Sequence, residues 1–205
     1  MSGRFITLEG GEGVGKSTNL EFVAATLRAA GHPVLLTREP GGTPLAERVR
    51  ALVVDHAEED LPPDAELLLM FAGRAIHLEN RIRPALEQGT WVVCDRFTDA
   101  TYAYQGAGRG SDPAWIGELE RRIQRGLQPH LTLLLDADPA VGLARAGARG
   151  AADRFETERL AFFEAVRAGY LARAAAEPER FRVIDAERSL TDVQSDIASA
   201  LGELS

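Results

Sequence analysis

Eight consecutive residues, Gly10-Gly11-Glu12-Gly13-Val14-Gly15-Lys16-Ser17, match the pattern G-x-x-x-x-G-K-[ST], and Thr18 follows them directly. Glycines at this spacing let successive backbone N–H groups turn inward around phosphate oxygens. A helix starting at the end of the loop adds the positive end of its dipole. In such a loop Lys16 reaches the β- and γ-phosphates of a nucleoside triphosphate such as ATP, and the Ser17 hydroxyl ligates Mg²⁺. Of the 23 basic residues Lys16 is the only lysine, and the other 22 are arginines. The slot between two phosphates and a loop backbone suits a compact ammonium on a flexible stem better than a planar guanidinium fork. The same count excludes the guanine-reading motif N-K-x-D, because its lysine is already in the loop.

Transfer of a phosphoryl group between two anions requires their repulsion to be cancelled and the reacting oxygens to be aligned, so arginines and magnesium are the expected tools. Arg38 and Arg96 each follow an apolar run, which puts them at the edge of an α/β sheet where ligands bind. Either they meet a ligand there or they pair with carboxylates such as Glu39 and Asp95. His32, His56, His77 and His130 are scattered without metal-ligand spacing to the single cysteine, Cys94. His77 reads as structural, and Cys94 as a small core residue at a strand end.

Five short apolar runs must position these groups: Phe5 to Leu8, Val34 to Leu36, Trp91 to Cys94, Leu131 to Leu135 and Phe181 to Ile184. Each is too short for a helix and lacks alternation, as expected of parallel strands buried on both faces. Helical spacings separate them. Leu20, Val23 and Leu27 share one face before Gly31, and Leu190, Val193, Ile197 and Leu201 share another after a capping Ser189. The expectation is one α/β domain over residues 1–205, a five-stranded parallel sheet of the P-loop NTPase type flanked by helices on both faces. The glycine- and alanine-rich stretch from Gly147 to Asp153 reads as a mobile excursion from it.

A net charge of −8 disfavours nucleic acid and acidic membranes as partners. One cysteine forbids an internal disulfide, the opening residues lack the blocks of a signal peptide, and no apolar run approaches the ~20 residues of a membrane span. These features suggest a cytoplasmic protein.

Four further segments complete the pattern: Thr37-Arg38-Glu39-Pro40-Gly41-Gly42-Thr43; Met70-Phe71-Ala72-Gly73-Arg74 with His77; Cys94-Asp95-Arg96-Phe97; and Ala103-Tyr104-Gln105-Gly106. With the opening Leu8-Glu9-Gly10 and the loop, they resemble the thymidylate kinase family in register from Phe5 to about residue 190. The resemblance implies Mg²⁺-dependent transfer of the γ-phosphoryl group of ATP to dTMP. It implies that Arg38 and Arg96 hold the acceptor phosphate and that Asp95 acts on Mg²⁺ through water, though Asp95 can equally orient Arg96. It further implies that Phe71 stacks on thymine and that Arg74 bonds its exocyclic oxygen, whereas periodicity alone makes Phe71 ordinary core. By the same resemblance Thr101 and Gln105 face the other polar edge of the base, Tyr104 lies beside C2′ of the sugar, and Glu12 contacts the 3′-hydroxyl. Ala100 replaces a serine common in the family, and Gly13 stands where some members carry an arginine in the loop. Members without that arginine supply one from a lid, which here spans about 145–156 and contains Arg145, Arg149 and Arg154. Arg149 is favoured over Arg154 for the transferred phosphoryl group, and Arg145 for the surroundings of adenine. Family members are usually homodimers. Two competing readings are the same fold acting on another nucleoside monophosphate or a deoxynucleoside, and a nucleotide-binding regulator without phosphotransfer.

Overall fold

All five apolar runs form strands in the computed structural model, which describes residues 3–55, 59–147 and 158–204. They are β1 (Phe5–Glu9), β2 (Val34–Arg38), β3 (Trp91–Asp95), β4 (Leu131–Asp136) and β5 (Phe181–Asp185), paired in parallel in the order β2-β3-β1-β4-β5. Every strand extends one or two polar residues beyond its apolar run. Backbone groups pair along the ladder regardless of side-chain polarity, so the hydrophobic signal stops before the strand does. The polar ends Glu9, Arg38, Asp95, Asp136 and Asp185 therefore collect on one edge of the sheet, with Arg38 in register with Asp95.

Burial on both faces holds for the three central strands, β1, β3 and β4, along almost their full length. The edge strands β2 and β5 are only partly covered, which corrects the uniform burial expected from their apolar character. Each has a neighbour on one side only.

Helices connect the strands, as parallel pairing requires. They are α1 (Lys16–Ala29), α2 (Pro44–Val54), α3 (Pro63–His77), α4 (Arg83–Glu87), α5 (Thr98–Thr101), α6 (Pro113–Gln124), α7 (Pro139–Gly147), α8 (Leu160–Ala176) and α9 (Leu190–Gly202). Two wider π-helical turns, Leu78–Ile82 and Tyr102–Gly108, run on from α3 and α5. α1 ends at Ala29 with Gly31 at φ 88°, and Ser189 caps α9 by accepting from Asp192 N, both as the sequence suggests. α1 and α9 cover one face of the sheet, where Val23, Leu27, Val193 and Ile197 meet Ile6, Leu8, Val93 and Leu133. On the other face Phe5, Val92 and Cys94 pack with Leu78, Ile82 and Phe97, while Leu134 packs with Ala103, Phe163, Val166 and Tyr170. Cys94 is a buried free thiol whose pKa burial pushes well up, consistent with a core role. Among the described residues no helix is long and apolar enough to cross a membrane.

Two carboxylates fasten α8 to the rest of the fold. Asp99, at the start of α5, accepts from Arg173 on α8 and from two nitrogens of Arg180 at the entrance to β5. Glu9, wholly buried at the end of β1, accepts from the Phe97 backbone N–H at 2.7 Å and from the Tyr170 hydroxyl at 2.9 Å. Burial and the nearby Asp99 charge raise the Glu9 pKa to about 8, against the opposing effects of those two hydrogen bonds and Arg96. The folded protein thus holds this proton more tightly than the unfolded chain, whose carboxyl titrates near its ordinary value. The stability contributed by the bound proton is full below that ordinary value and is lost as pH rises through about 8. Glu9→Gln removes the titration, its oxygen still accepting from Phe97 N–H while its amide nitrogen donates to the Tyr170 hydroxyl. Urea midpoints measured from pH 5 to pH 8.5 should fall more steeply for the wild type than for Glu9→Gln, and parallel curves would refute the assignment.

Candidate active site

The loop between β1 and α1 takes its shape from residues without side chains. Gly10, Gly13 and Gly15 all have φ in the left-handed half of the map, at 135°, 68° and 90°. At Gly13 a Cβ would lie 1.8 Å from the carbonyl oxygen of Gly142 on α7, so any side chain would push loop and helix apart. Lys16 folds back over the loop and donates from Nζ to the carbonyls of Gly10 (3.1 Å) and Gly11 (2.6 Å). Burial and the Arg96 charge lower its pKa, partly offset by Glu12 and Asp95. Ser17 and Thr18 are exposed in the first turn of α1.

Arg96 follows β3 in a left-handed backbone conformation, φ 64°, with its N–H donated to Leu8 O. That turn sends its guanidinium back across the loop. Nη2 donates to Glu12 Oε1 at 2.5 Å and to the Tyr104 hydroxyl at 2.7 Å, and Tyr104 in turn donates to the same Glu12 oxygen. The guanidinium lies 4.9 Å from the centre of the Tyr104 ring. Burial alone would raise the Glu12 pKa, but the charges of Arg96 and Lys16 outweigh it and hold the carboxyl at about 2. Arg96 therefore pairs with Glu12, not with Asp95. Its Nε is buried without a hydrogen-bond partner, as is Asp95 Oδ1.

Arg38 stands on the rim, half exposed, and donates to Glu47 Oε2 at 2.8 Å. It pairs with Glu47 because Glu39 is engaged elsewhere. Exposed ion pairs of this kind contribute about 0–1 kcal/mol, so a phosphate can displace Glu47 cheaply.

A third group lies deeper. Arg74 on α3 is almost wholly buried, with its guanidinium between the rings of Phe71 (4.8 Å) and Phe97 (5.0 Å). Nε donates to Glu39 Oε2 at 2.7 Å and Nη2 to Thr101 Oγ1 at 3.0 Å, leaving Nη1 buried without a partner. Glu39 Oε1 meets His77 Nδ1 at 3.0 Å, and His77 Nε2 meets Thr37 Oγ1 at 2.6 Å. Burial would raise the Glu39 pKa, but Arg74 and His77 lower it below the ordinary value. Gln105, in the second π-helical turn, donates from Nε2 to the buried Glu66 at 2.8 Å, while its Oε1 has no partner.

Several of these groups line one cleft, whose walls include Glu12, Glu39, Arg96, Phe97, Tyr104 and Gln105. Met70 lines this cleft, whereas Phe71 packs with Leu67 and Ile116. Ser17, Arg38 and Asp95 line a second hollow beside the loop. Gly13, Gly15, Thr18 and Arg145 line a third, where Arg145 donates to Ala186 O. Arg149 and Arg154 lie outside the described residues. Sequence reasoning missed Glu39 and Glu66 as organisers, Arg50 and Met70 as walls, and the attachment of His77 to Glu39. Only Glu66 and Met70 carried a signal, since their spacing of four on α3 leads to the face of Arg74 and His77.

A phosphate loop at the end of β1, with three arginines and an acidic strand end around it, defines a P-loop phosphotransferase of α/β architecture. The thymidylate kinase family model matches residues 8–197. The chain is 63% identical to a thymidylate kinase of Chromohalobacter salexigens, over 98% of this chain and 96% of that protein. It is 59% identical to one of Pseudomonas syringae pv. tomato, over 100% and 97%. The crystal structure of thymidylate kinase from Ehrlichia chaffeensis superposes with a TM-score of 0.79 at 32% identity, each chain wholly covered. The chain belongs to the thymidylate kinase family. Phosphorylation of dTMP with ATP as donor is the activity of that family, and the chain is a phosphotransferase that binds both.

The Gly13 geometry yields a direct test. Gly13→Ala adds a clash with Gly142 to a backbone strain of about 1–2 kcal/mol. ATP affinity measured by calorimetry should fall by roughly tenfold or more, matching that strain or exceeding it. Unchanged ATP binding would contradict the geometry.

Proposed function

We propose that the described cleft and the loop beside it hold dTMP and ATP with their phosphates facing, and that the transfer is direct and in line. The observation that carries this reading is that four of the buried polar atoms without partners belong to residues assigned to the site: Arg74 Nη1, Gln105 Oε1, Arg96 Nε and Asp95 Oδ1. Desolvated groups of this kind are costly unless a ligand completes them. Arg96, which reaches Gly10 and Glu12 of the loop, would serve the phosphate, and Arg74 and Gln105 the polar edge of the base.

In this reading the backbone N–H groups from Gly11 to Ser17 hold the donor's phosphates and Lys16 follows the γ-phosphate during transfer. Arg96 and Arg38 hold the phosphate of dTMP, and Arg38 leaves Glu47 to do so. Arg74, Thr101 and Gln105 meet the base, with Phe71 backing Arg74. Tyr104 lies beside the sugar, where a ribose hydroxyl would crowd it, and ionised Glu12 accepts from the 3′-hydroxyl. Ser17 and Asp95, which line one hollow, fit Mg²⁺, Asp95 through water. Bound magnesium would draw charge from the phosphoryl oxygens. Arg145 serves the adenine side. Arg149, with Arg154 as second choice, is assigned to the transferred phosphoryl group from a lid at about 145–156. Residues 1–205 act as one domain, in the cytoplasm, as a homodimer and without nucleic acid.

Coupled ADP release measured with ATP and Mg²⁺ over dTMP, dCMP and thymidine tests this. The kcat/KM for dTMP should exceed that for dCMP by on the order of 10³-fold or more, as expected of a site with buried polar groups to satisfy. Chelation of magnesium should abolish turnover. Equal use of dCMP or thymidine, or turnover in excess chelator, would overturn the assignment.

A further inference from the structure

The base-reading atoms are not free to choose their polarity. Gln105 carries an amide that can present either its oxygen or its nitrogen, and the two choices suit different bases. We infer that Glu66 is a positioning residue that fixes this choice and thereby restricts the acceptor to imide pyrimidines, thymine and uracil, against cytosine. The inference rests on the dTMP reading above and deepens it.

Glu66 sits in α3, two turns before Arg74, and is wholly buried. Its Oε2 lies 3.6 Å from Arg109 Nε, and Arg109 Nη1 is anchored at 2.6 Å by Glu158. A carboxylate beside a guanidinium is an acceptor only. An amide in contact with it must offer N–H, and Gln105 does so from Nε2 to Glu66 Oε1. The Gln105 oxygen is thereby the end left over, buried and unpartnered in the cleft wall. Arg74 is constrained in the same manner. With Nε on Glu39 and Nη2 on Thr101, the nitrogen left without a partner is Nη1.

Of the atoms that Arg74 and Gln105 leave without a partner, one is a donor, Arg74 Nη1, and one an acceptor, Gln105 Oε1. Thymine and uracil present a carbonyl at C4 and an N–H at N3, which satisfy both. Cytosine presents an amino group at C4 and a bare nitrogen at N3, which sets donor against donor and acceptor against acceptor. Reversing the Gln105 amide would relieve the mismatch at N3, and the Glu66 carboxylate forbids that reversal.

Glu66→Gln tests this, because an amide at 66 can either accept or donate and so releases Gln105. The readout is the ratio of kcat/KM for dTMP to that for dCMP, with thermal melting to show that the variant is folded. The ratio should fall by at least ~10-fold while the KM for ATP stays within ~2-fold, since only the base edge changes. Gln105→Leu should lower the ratio by a similar factor. Adding Glu66→Gln to Gln105→Leu should lower it no further, because Glu66 acts through the amide. A folded Glu66→Gln protein with the wild-type ratio, or a further fall in the double variant, overturns the inference. If Glu66→Gln does not fold, an unchanged ratio in Gln105→Leu overturns it. A wild type that already uses dCMP as well as dTMP would instead remove the dTMP reading itself.

Discussion

Burial of charge at one edge of a parallel sheet is the constraint on which the rest of this structure depends. Lys16, Glu39, Glu66 and Arg74 are all less than a tenth exposed, with Arg96 and Glu12 only partly exposed beside them. An unpaired buried charge costs several kcal/mol, so each must find a partner, and the partners come from different elements. Glu39 follows β2 and holds Arg74 of α3. Glu12 of the loop holds Arg96 after β3, and Glu66 of α3 holds Gln105 beyond α5. The pairs therefore act as ties between elements that the hydrophobic clusters bring only roughly together.

This pairing orients the polar groups of the site through protein contacts alone. Each guanidinium has more donors than its protein partners consume, and the surplus has a fixed direction. Arg74 keeps Nη1 and Arg96 keeps Nε, while Gln105 keeps its oxygen. Orientation set in advance lowers the cost of aligning two phosphates, and alignment with charge cancellation is most of what phosphoryl transfer asks of a protein. The rim behaves differently. Arg38 pairs with Glu47 on an exposed rim, where such a pair is weak.

Much of this was legible in the residues. The phosphate loop announces itself because only glycine tolerates the left-handed turns and the contact with Gly142. The five strands were legible because strands of a covered parallel sheet are apolar through most of their length, although their polar ends lay beyond that signal. The partners of the arginines were not legible. Arg38 stands in sequence beside Glu39, and Arg96 beside Asp95, yet neither forms the adjacent pair. Successive strand residues point to opposite faces, and Arg96 turns away in a left-handed conformation. Phe71 was ambiguous between core and site, and it packs in the core while stacking on Arg74. The surplus valences of Arg74 and Gln105 depend on contacts across 35 and 39 residues, which no local pattern encodes.

The central question is whether substrate binds at those surplus atoms. A crystal structure with dTMP, magnesium and an unreactive ATP analogue measures this directly. Arg74 Nη1 and Gln105 Oε1 should lie within hydrogen-bond distance of the C4 oxygen and N3 of thymine, with Arg96 on the dTMP phosphate. A complex in which the base lies elsewhere, with Arg74 Nη1 and Gln105 Oε1 still unpartnered, would contradict it.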